Sequence, residues 1–132
     1  MSGKPLLMLY IEDTPASIRL MENIVQMIPG LKLITAPTAE VGLPLAEVRQ
    51  PDIVILDINL PGMSGVEAAK RMRANPATKA IPLIALSANA MEMDVKRGLE
   101  AGFNEYLTKP ISIKHLISML KHYMDKAKNG SA

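Results

Sequence analysis

The sequence of 132 residues has no cysteine, no tryptophan and only one phenylalanine. The lack of cysteine excludes a disulfide framework, a thiolate metal site and a thiol nucleophile. No apolar stretch approaches the roughly 18 residues that a transmembrane helix needs, and the first apolar run is cut short by Glu12 and Asp13, unlike a signal peptide. The net charge of +2 is too small to indicate nucleic-acid binding. We therefore expect a cytoplasmic protein without membrane or direct nucleic-acid contact.

The composition predicts one domain with an aliphatic core. Hydrophobic residues make up 48% of the chain and include 10 methionines, and the length is typical of a single domain. We expect a core at about 6–124, with residues 1–5 and 127–132 as flexible ends. Because methionine fills irregular gaps in cores, we also expect Met91 and the other methionines to be buried.

Five short apolar runs, each followed by a segment with helical periodicity, suggest alternating strands and helices. Such alternation predicts a parallel sheet covered by helices on both faces, and a TIM barrel would need about 250 residues. The predicted fold is a flavodoxin-like (βα)5 doubly wound sheet with strand order 2-1-3-4-5. Pro44 is expected to kink or split the second helix. The strands are predicted at 6–11, 31–35, 53–56, 81–86 and 104–108, and the helices at 15–28, 38–49, 64–74, 91–101 and 112–126.

Polar side chains follow four of these strands at the point where the apolar run ends. They are Glu12 and Asp13 after the first strand, Asp57 after the third, Ser87 after the fourth and Lys109 after the fifth. Each has an ordinary structural explanation as a turn residue, a helix cap, a helix-dipole partner or a surface lysine. Because the carboxyl ends of parallel strands share one edge, where ligands bind, their common position favours a functional site.

Three carboxylates at one edge would repel one another, since two like charges ~4 Å apart cost about 4 kcal/mol at an effective dielectric constant of ~20. A divalent cation relieves this repulsion, and oxygen ligands without cysteine or a nearby histidine favour Mg²⁺ over Zn²⁺, with Mn²⁺ as a second candidate. One carboxylate oxygen would remain free to attack phosphorus, with Ser87 and Lys109 placed to hold phosphoryl oxygens. His115 and His122 lack acidic partners and are expected at the surface.

With these residues in place, the sequence resembles the receiver domain of bacterial two-component response regulators. The resemblance covers about residues 6–124. The order and spacing of four segments make it specific, although each segment alone is weak. They are ED at 12–13, LDINLPGMSG at 56–65, SANA at 87–90 and AGFNEYLTKP at 101–110.

The resemblance implies a role for each site residue. Asp57 would accept a phosphoryl group from a phosphohistidine of a histidine kinase or a histidine phosphotransfer domain. Mg²⁺ would be held by Glu12, Asp13, Asp57 and the backbone carbonyl of Asn59. The phosphoryl group would be bound by Ser87, the backbone of Ala88 and Lys109.

The resemblance also implies a switch. Ser87 and the aromatic Tyr106 would change position on phosphorylation and alter the face formed by the fourth helix, fifth strand and fifth helix, where a downstream effector would bind. The Lys109-Pro110 bond would be cis. Asn59 and Asn89 occupy positions at which the family tunes the phosphoryl lifetime. Glu12 departs from the family pattern, because it is one methylene longer than the commoner aspartate.

Two other functions stay open. Phosphatases of the haloacid dehalogenase type share the strand-end aspartate, Mg²⁺, a hydroxyl and a lysine, but their general acid is a second aspartate where this chain has Asn59. A pseudo-receiver would be an interaction module that never takes phosphate. The favoured prediction is a signalling switch, not an enzyme, with at most weak self-phosphorylation and autodephosphorylation. It is either a stand-alone receiver or part of a hybrid sensor kinase.

Overall fold

A computed structural model, which describes residues 5–60, 62–88 and 91–130, contains five strands that each precede a helix. The strands are β1 Leu6–Ile11, β2 Leu31–Ala36, β3 Ile53–Asp57, β4 Leu83–Ser87 and β5 Glu105–Thr108. The helices are α1 Pro15–Gln26, α2 Ala39–Arg49, α3 Gly65–Ala74, α4 Glu92–Ala101 and α5 Ile113–Gly130. All strand pairs are parallel and the order is β2-β1-β3-β4-β5, which confirms the predicted fold.

The alternation of side chains along each strand divides the core into two layers. Met8 and Tyr10 of β1 pack with α1 and α5 on one face. Leu9 and Ile11 pack with α2, α3 and α4 on the other. β3 and β4 are buried along their whole length, which explains why their sequences are unbroken apolar runs rather than alternating ones.

Helix α2 is continuous from Ala39 to Arg49, so the expectation that Pro44 splits it is wrong. Pro44 removes the helical hydrogen bond to the carbonyl of Glu40, and Glu40 is an exposed residue. The helix is also capped at its start, where the Thr38 hydroxyl accepts a hydrogen bond from the Val41 amide at 3.2 Å.

Several other expectations are settled by the structure. Three methionines are exposed, so their assignment to the core is wrong: Met27, Met91 and Met93, at 56%, 71% and 68%. His115 and His122 are exposed as expected. Helix α5 continues past position 126 to Gly130. None of the helices within the described residues is long and apolar enough to span a bilayer. The expectations for Asn89 and for residues 1–4 and 131–132 lie outside the described residues.

The guanidinium of Arg73 ties the end of α3 to the starts of β4 and β5. Its Nε donates to the Gly102 carbonyl at 2.9 Å, and its NH1 donates to the carbonyls of Lys79 and Ile81, both at 2.8 Å. Its NH2 donates to Oδ1 of Asn104 at 2.8 Å. Four acceptors in two connecting segments, one before β4 and one before β5, therefore depend on one planar group whose donors diverge in fixed directions.

Replacement of Arg73 by lysine should destabilise the fold, because one ammonium cannot reach all four acceptors. We expect the free energy of unfolding to fall by roughly 1.5–3 kcal/mol, measured by urea denaturation. Arg71→Lys is the matched control on the same helix, since Arg71 makes only an exposed ion pair with Glu67 and should change stability by less than about 0.5 kcal/mol. Equal losses in the two variants would contradict the role given to Arg73.

Candidate functional site

The register of β1 and β3 places Glu12 and Asp57 side by side. Ile11 of β1 pairs with Leu56 of β3, and the next residues along the two strands are Glu12 and Asp57. Glu12 lies two residues after Tyr10, and Asp57 lies two residues after Ile55, so both side chains project toward the layer of α1 and α5. Both are buried, with 1% and 5% of their surface exposed. Two carboxyl groups are thus enclosed at the carboxyl edge of the sheet.

Lys109 brings a positive charge to this pair. Its Nζ lies 2.8 Å from Oδ2 of Asp57 and 3.7 Å from Oε1 of Glu12. The lysine is held at the end of β5 by its own backbone amide, which donates to the Ser87 carbonyl at 2.8 Å. The Lys109-Pro110 bond that follows is cis, as predicted. One ammonium therefore bridges two carboxyl groups from neighbouring strands.

Asp57 is held in its ionised form. The amide of Asn59 donates to Oδ1 at 2.9 Å, and Lys109 donates to Oδ2. Burial alone would raise the pKa of Asp57, but hydrogen bonds from Glu12 and Lys109 outweigh it and hold the pKa below its ordinary value. The same contact with Asp57 raises the pKa of Lys109 despite partial burial. The carboxylate is therefore available as a nucleophile over the physiological pH range.

Glu12 is the opposite case within the same pair. Burial, followed by the hydrogen bond shared with Asp57, raises the pKa of Glu12 above its ordinary value. Its Oε2 accepts from the amides of Asp13 and Thr14 at 3.2 and 3.1 Å, and its Oε1 accepts from the Tyr10 hydroxyl at 3.2 Å. Burial and the charge of Glu12 in turn raise the pKa of Tyr10, so the phenol stays a donor. Glu12 therefore keeps its proton to a higher pH than an ordinary glutamate does.

The remaining predicted residues surround this centre to different extents. Ser87 is buried at the end of β4, whereas Asp13, Asn59 and Ala88 are exposed at the same edge. Within the described residues, no group of three acidic or histidine side chains is arranged to hold a metal ion. The structure therefore brings two of the three predicted carboxylates together and leaves the third, Asp13, exposed.

Tyr106 is half-buried on β5 and lies against α4. A Cβ atom at Gly98 would lie 2.8 Å from Cδ2 of the Tyr106 ring, closer than side chains pack. The absence of a side chain at Gly98 is therefore what lets the ring and the helix approach. The predicted switch residue is in contact with α4, and Gly98 is a contributing residue that the sequence reasoning did not identify.

Two further residues at the site were missed from the sequence. Tyr10 lies inside an apolar run, so its sequence context predicts a core residue. Its spacing of two residues from Glu12, however, places both side chains on one face of the strand. Glu40 of α2 accepts a hydrogen bond from the Met63 amide at 2.9 Å and holds the loop after β3. No spacing rule connects Glu40 with Met63, because the contact joins distant parts of the chain.

The donor set fits a hard divalent cation. The groups that face the Lys109 ammonium are carboxyl oxygens of Glu12 and Asp57, and no cysteine is present in the sequence. Oxygen donors of this kind suit Mg²⁺ or Mn²⁺. The position of the Lys109 ammonium between the two carboxyl groups also shows that they converge on a single positive charge.

Comparison with known proteins gives a consistent result. The family model described as response regulator receiver domain matches residues 8–121. The phosphate regulon transcriptional regulatory protein PhoB of Pseudomonas aeruginosa is 34% identical over 132 residues, which are all of this chain and 56% of that protein. The chain thus spans about half the length of PhoB. The polar-differentiation response regulator DivK of Brucella anthropi is 31% identical over 123 residues, 93% of this chain and 99% of that protein.

Solved structures agree with these sequence relatives. The receiver domain of sensor histidine kinase PA1611 from Pseudomonas aeruginosa, which has a magnesium ion in its active-site cleft, superposes with a TM-score of 0.82 at 28% identity, covering 92% of this chain and 98% of that one. The Mn²⁺-bound response regulator Rcp1 gives 0.72 at 29% identity, covering 89% and 91%. The fold, the motifs and these matches lead to one conclusion: the chain belongs to the response regulator receiver domain family.

Proposed function

We propose that this domain is a phosphoacceptor switch in which Asp57 receives a phosphoryl group from a phosphohistidine of a histidine kinase or a histidine phosphotransfer domain. The observation that carries the proposal is a buried, ionised Asp57 held between the Asn59 amide and the Lys109 ammonium, beside a second carboxyl group. Residues 6–124 would be the functional core, and the location that suits such a partner is the cytoplasm.

The chemistry requires little of the protein beyond positioning and charge. A carboxylate oxygen of Asp57 forms the new bond to phosphorus, and the phosphorus–nitrogen bond breaks, with its electron pair returning to the imidazole. Lys109 moves its contact from the carboxylate to the incoming phosphoryl oxygens, with the Ser87 hydroxyl and the Ala88 amide beside it. Stabilisation of phosphoryl charge in this way is the main contribution of proteins to such transfers.

A divalent cation, Mg²⁺ or Mn²⁺, would neutralise the charge that develops on the transferring group. Glu12, Asp13, Asp57 and the backbone carbonyl of Asn59 would hold it. The magnesium in the PA1611 receiver domain and the Mn²⁺ in Rcp1 support this assignment. Binding would require the carboxyl group of Glu12 to be ionised, and Asp13 would complete the set from its exposed position.

The face formed by α4, β5 and α5 would carry the signal to an effector. Phosphorylation adds about −1.5 to −2 of charge at Asp57, which would draw in the Ser87 hydroxyl and let Tyr106 move. Helix α4 and its N-cap residue expose large apolar side chains, a feature of protein-binding surfaces. They are Met91, Met93 and Leu99, which are 71%, 68% and 47% exposed.

The proposal is favoured over the two alternatives. A phosphatase of the haloacid dehalogenase type would need an acid where this chain has Asn59, whose carboxamide side chain cannot donate a proton as an acid. A pseudo-receiver has no need of an ionised, buried aspartate paired with a lysine. The role is therefore that of a phosphoacceptor, with only weak autodephosphorylation as enzymatic activity.

Replacement of Asp57 by asparagine should abolish phosphorylation. Wild-type protein incubated with a small phosphodonor and Mg²⁺ should gain one base-labile phosphoryl adduct by intact-mass spectrometry, and Asp57→Asn should gain none. Asp125→Asn, which removes an exposed carboxylate on α5, is the control and should label like the wild type. Labelling of Asp57→Asn at the wild-type rate would refute the proposal.

Replacement of Lys109 by alanine should separate metal binding from switching. Mg²⁺ should bind at least as tightly as in the wild type, because the ammonium that contacts both carboxyl groups is gone. The change in the Tyr106 environment on phosphorylation, followed by NMR, should be lost. Lys114→Ala, on the exposed side of α5, should retain it. A full Tyr106 response in Lys109→Ala would contradict the role of the ammonium.

The buried Glu12 should lower the stability of the metal-free protein at neutral pH. A carboxyl group whose pKa is raised in the folded state stabilises the fold fully only below its ordinary pKa of 4.5, and this contribution is lost as the pH rises through the folded-state pKa. In EDTA at pH 7.5, Glu12→Gln should therefore raise the urea midpoint, and the gain should shrink as the pH approaches 4.5.

Excess Mg²⁺ should close the same gap at pH 7.5, because a ligand that binds only the folded wild type stabilises it. Glu67→Gln, at an exposed position on α3, is the control and should not show this dependence on pH or Mg²⁺. A lower urea midpoint for Glu12→Gln than for the wild type in EDTA at pH 7.5 would show that Glu12 burial is not destabilising.

A further inference from the structure

The carboxyl group of Glu12 is fixed from two sides. Two backbone amides, those of Asp13 and Thr14, donate to Oε2. The hydroxyl of Tyr10 donates to Oε1 at 3.2 Å, and both Tyr10 and Glu12 are 1% exposed. Oε1 is also the oxygen that lies 3.7 Å from the Lys109 ammonium. The tyrosine therefore holds the oxygen that faces the positive charge shared with Asp57.

Tyr10 can place its hydroxyl accurately because its ring is immobilised. It lies two residues before Glu12 on β1, so both side chains leave the same face of the strand. Its backbone pairs with Ile55 of β3, and its ring is enclosed in the layer between the sheet and the helices α1 and α5. A fully packed aromatic side chain has few alternative rotamers, so the hydroxyl is a fixed point.

Glutamate needs such a fixed point more than aspartate would. Its extra methylene adds one rotatable bond between the backbone and the carboxyl group, and each free rotamer costs entropy when a ligand orders it. Outer partners that orient a metal ligand commonly change metal affinity by 10–100-fold. A donor on Oε1 restricts the added rotation without occupying every lone pair of that oxygen.

We propose that Tyr10 is a positioning residue that orients Oε1 of Glu12 for the divalent cation of the phosphoacceptor site. This inference rests on the proposed function, because it concerns the same cation. Tyr10 does not touch the cation or the phosphoryl group; it acts through Glu12. The pairing of Tyr10 with Glu12 is thus matched to the length of the glutamate side chain.

The test is the Mg²⁺ dissociation constant of unphosphorylated protein, obtained from NMR titration of backbone amides. Tyr10→Phe should weaken Mg²⁺ binding about 10-fold. Tyr123→Phe is the matched control, since Tyr123 is also a buried tyrosine that donates to a glutamate, Oε2 of Glu105 at 3.1 Å. Because Glu105 begins β5 at the opposite edge of the sheet, Tyr123→Phe should leave Mg²⁺ affinity unchanged.

A second background tests the match to glutamate. Glu12→Asp withdraws the carboxyl group by about one carbon–carbon bond, ~1.5 Å, beyond hydrogen-bond reach of the hydroxyl. Adding Tyr10→Phe to Glu12→Asp should therefore change the Mg²⁺ dissociation constant less than 2-fold. Urea midpoints of all variants separate this effect from a general loss of stability.

Each outcome decides the matter. An unchanged dissociation constant in Tyr10→Phe, an equal weakening in Tyr123→Phe, or an equal weakening by Tyr10→Phe in both backgrounds would overturn the positioning role and leave the phosphoacceptor proposal standing. Absence of saturable Mg²⁺ binding by the wild type would instead refute the cation site itself, and the inference with it.

Discussion

The contact of the Lys109 ammonium with two buried carboxyl groups stabilises the carboxyl edge of the sheet, where the site lies. A buried charge without a partner costs several kcal/mol, and here two carboxyl groups are enclosed next to each other. The charges of the site are compensated by one ionised aspartate, one lysine and a glutamate that keeps its proton more readily than usual. The centre is close to neutral in this state, so any added anionic group requires an added cation.

The backbone accounts for this arrangement before any side chain is considered. Parallel register carries Glu12 and Asp57 to the same level of the sheet, and side-chain alternation turns both toward α1 and α5. At the opposite edge, Arg73 joins two connecting segments through uncharged acceptors. At the amino edge of the sheet, one guanidinium binds neutral acceptors. At the carboxyl edge, the contacts join charged groups, so they depend on pH and on bound cations.

Much of the fold followed from periodicity. Apolar runs bounded by turn residues predicted the five strands, and the structure has the strand order predicted for a flavodoxin-like fold. The meeting of Glu12, Asp57 and Lys109 also followed, because it needs only the common edge of a parallel sheet. The functional roles of these residues remain predictions.

The parts that could not be predicted depend on tertiary contacts. The partners of Arg73 and the contact of Glu40 with Met63 join segments that no local pattern relates. Helix α2 continues through Pro44, although proline is unfavourable inside a helix. Met91 is exposed although methionine is usually buried, because it is the N-cap residue that precedes α4.

The close approach of Tyr106 to Gly98 makes the ring and helix α4 a single steric unit. With no side chain between them, the helix backbone has no soft layer that could absorb a small displacement. A displacement of the ring toward α4 therefore presses directly on the helix backbone at Gly98. Gly98 thus couples β5 directly to α4, because no side chain lies between the Tyr106 ring and the helix backbone.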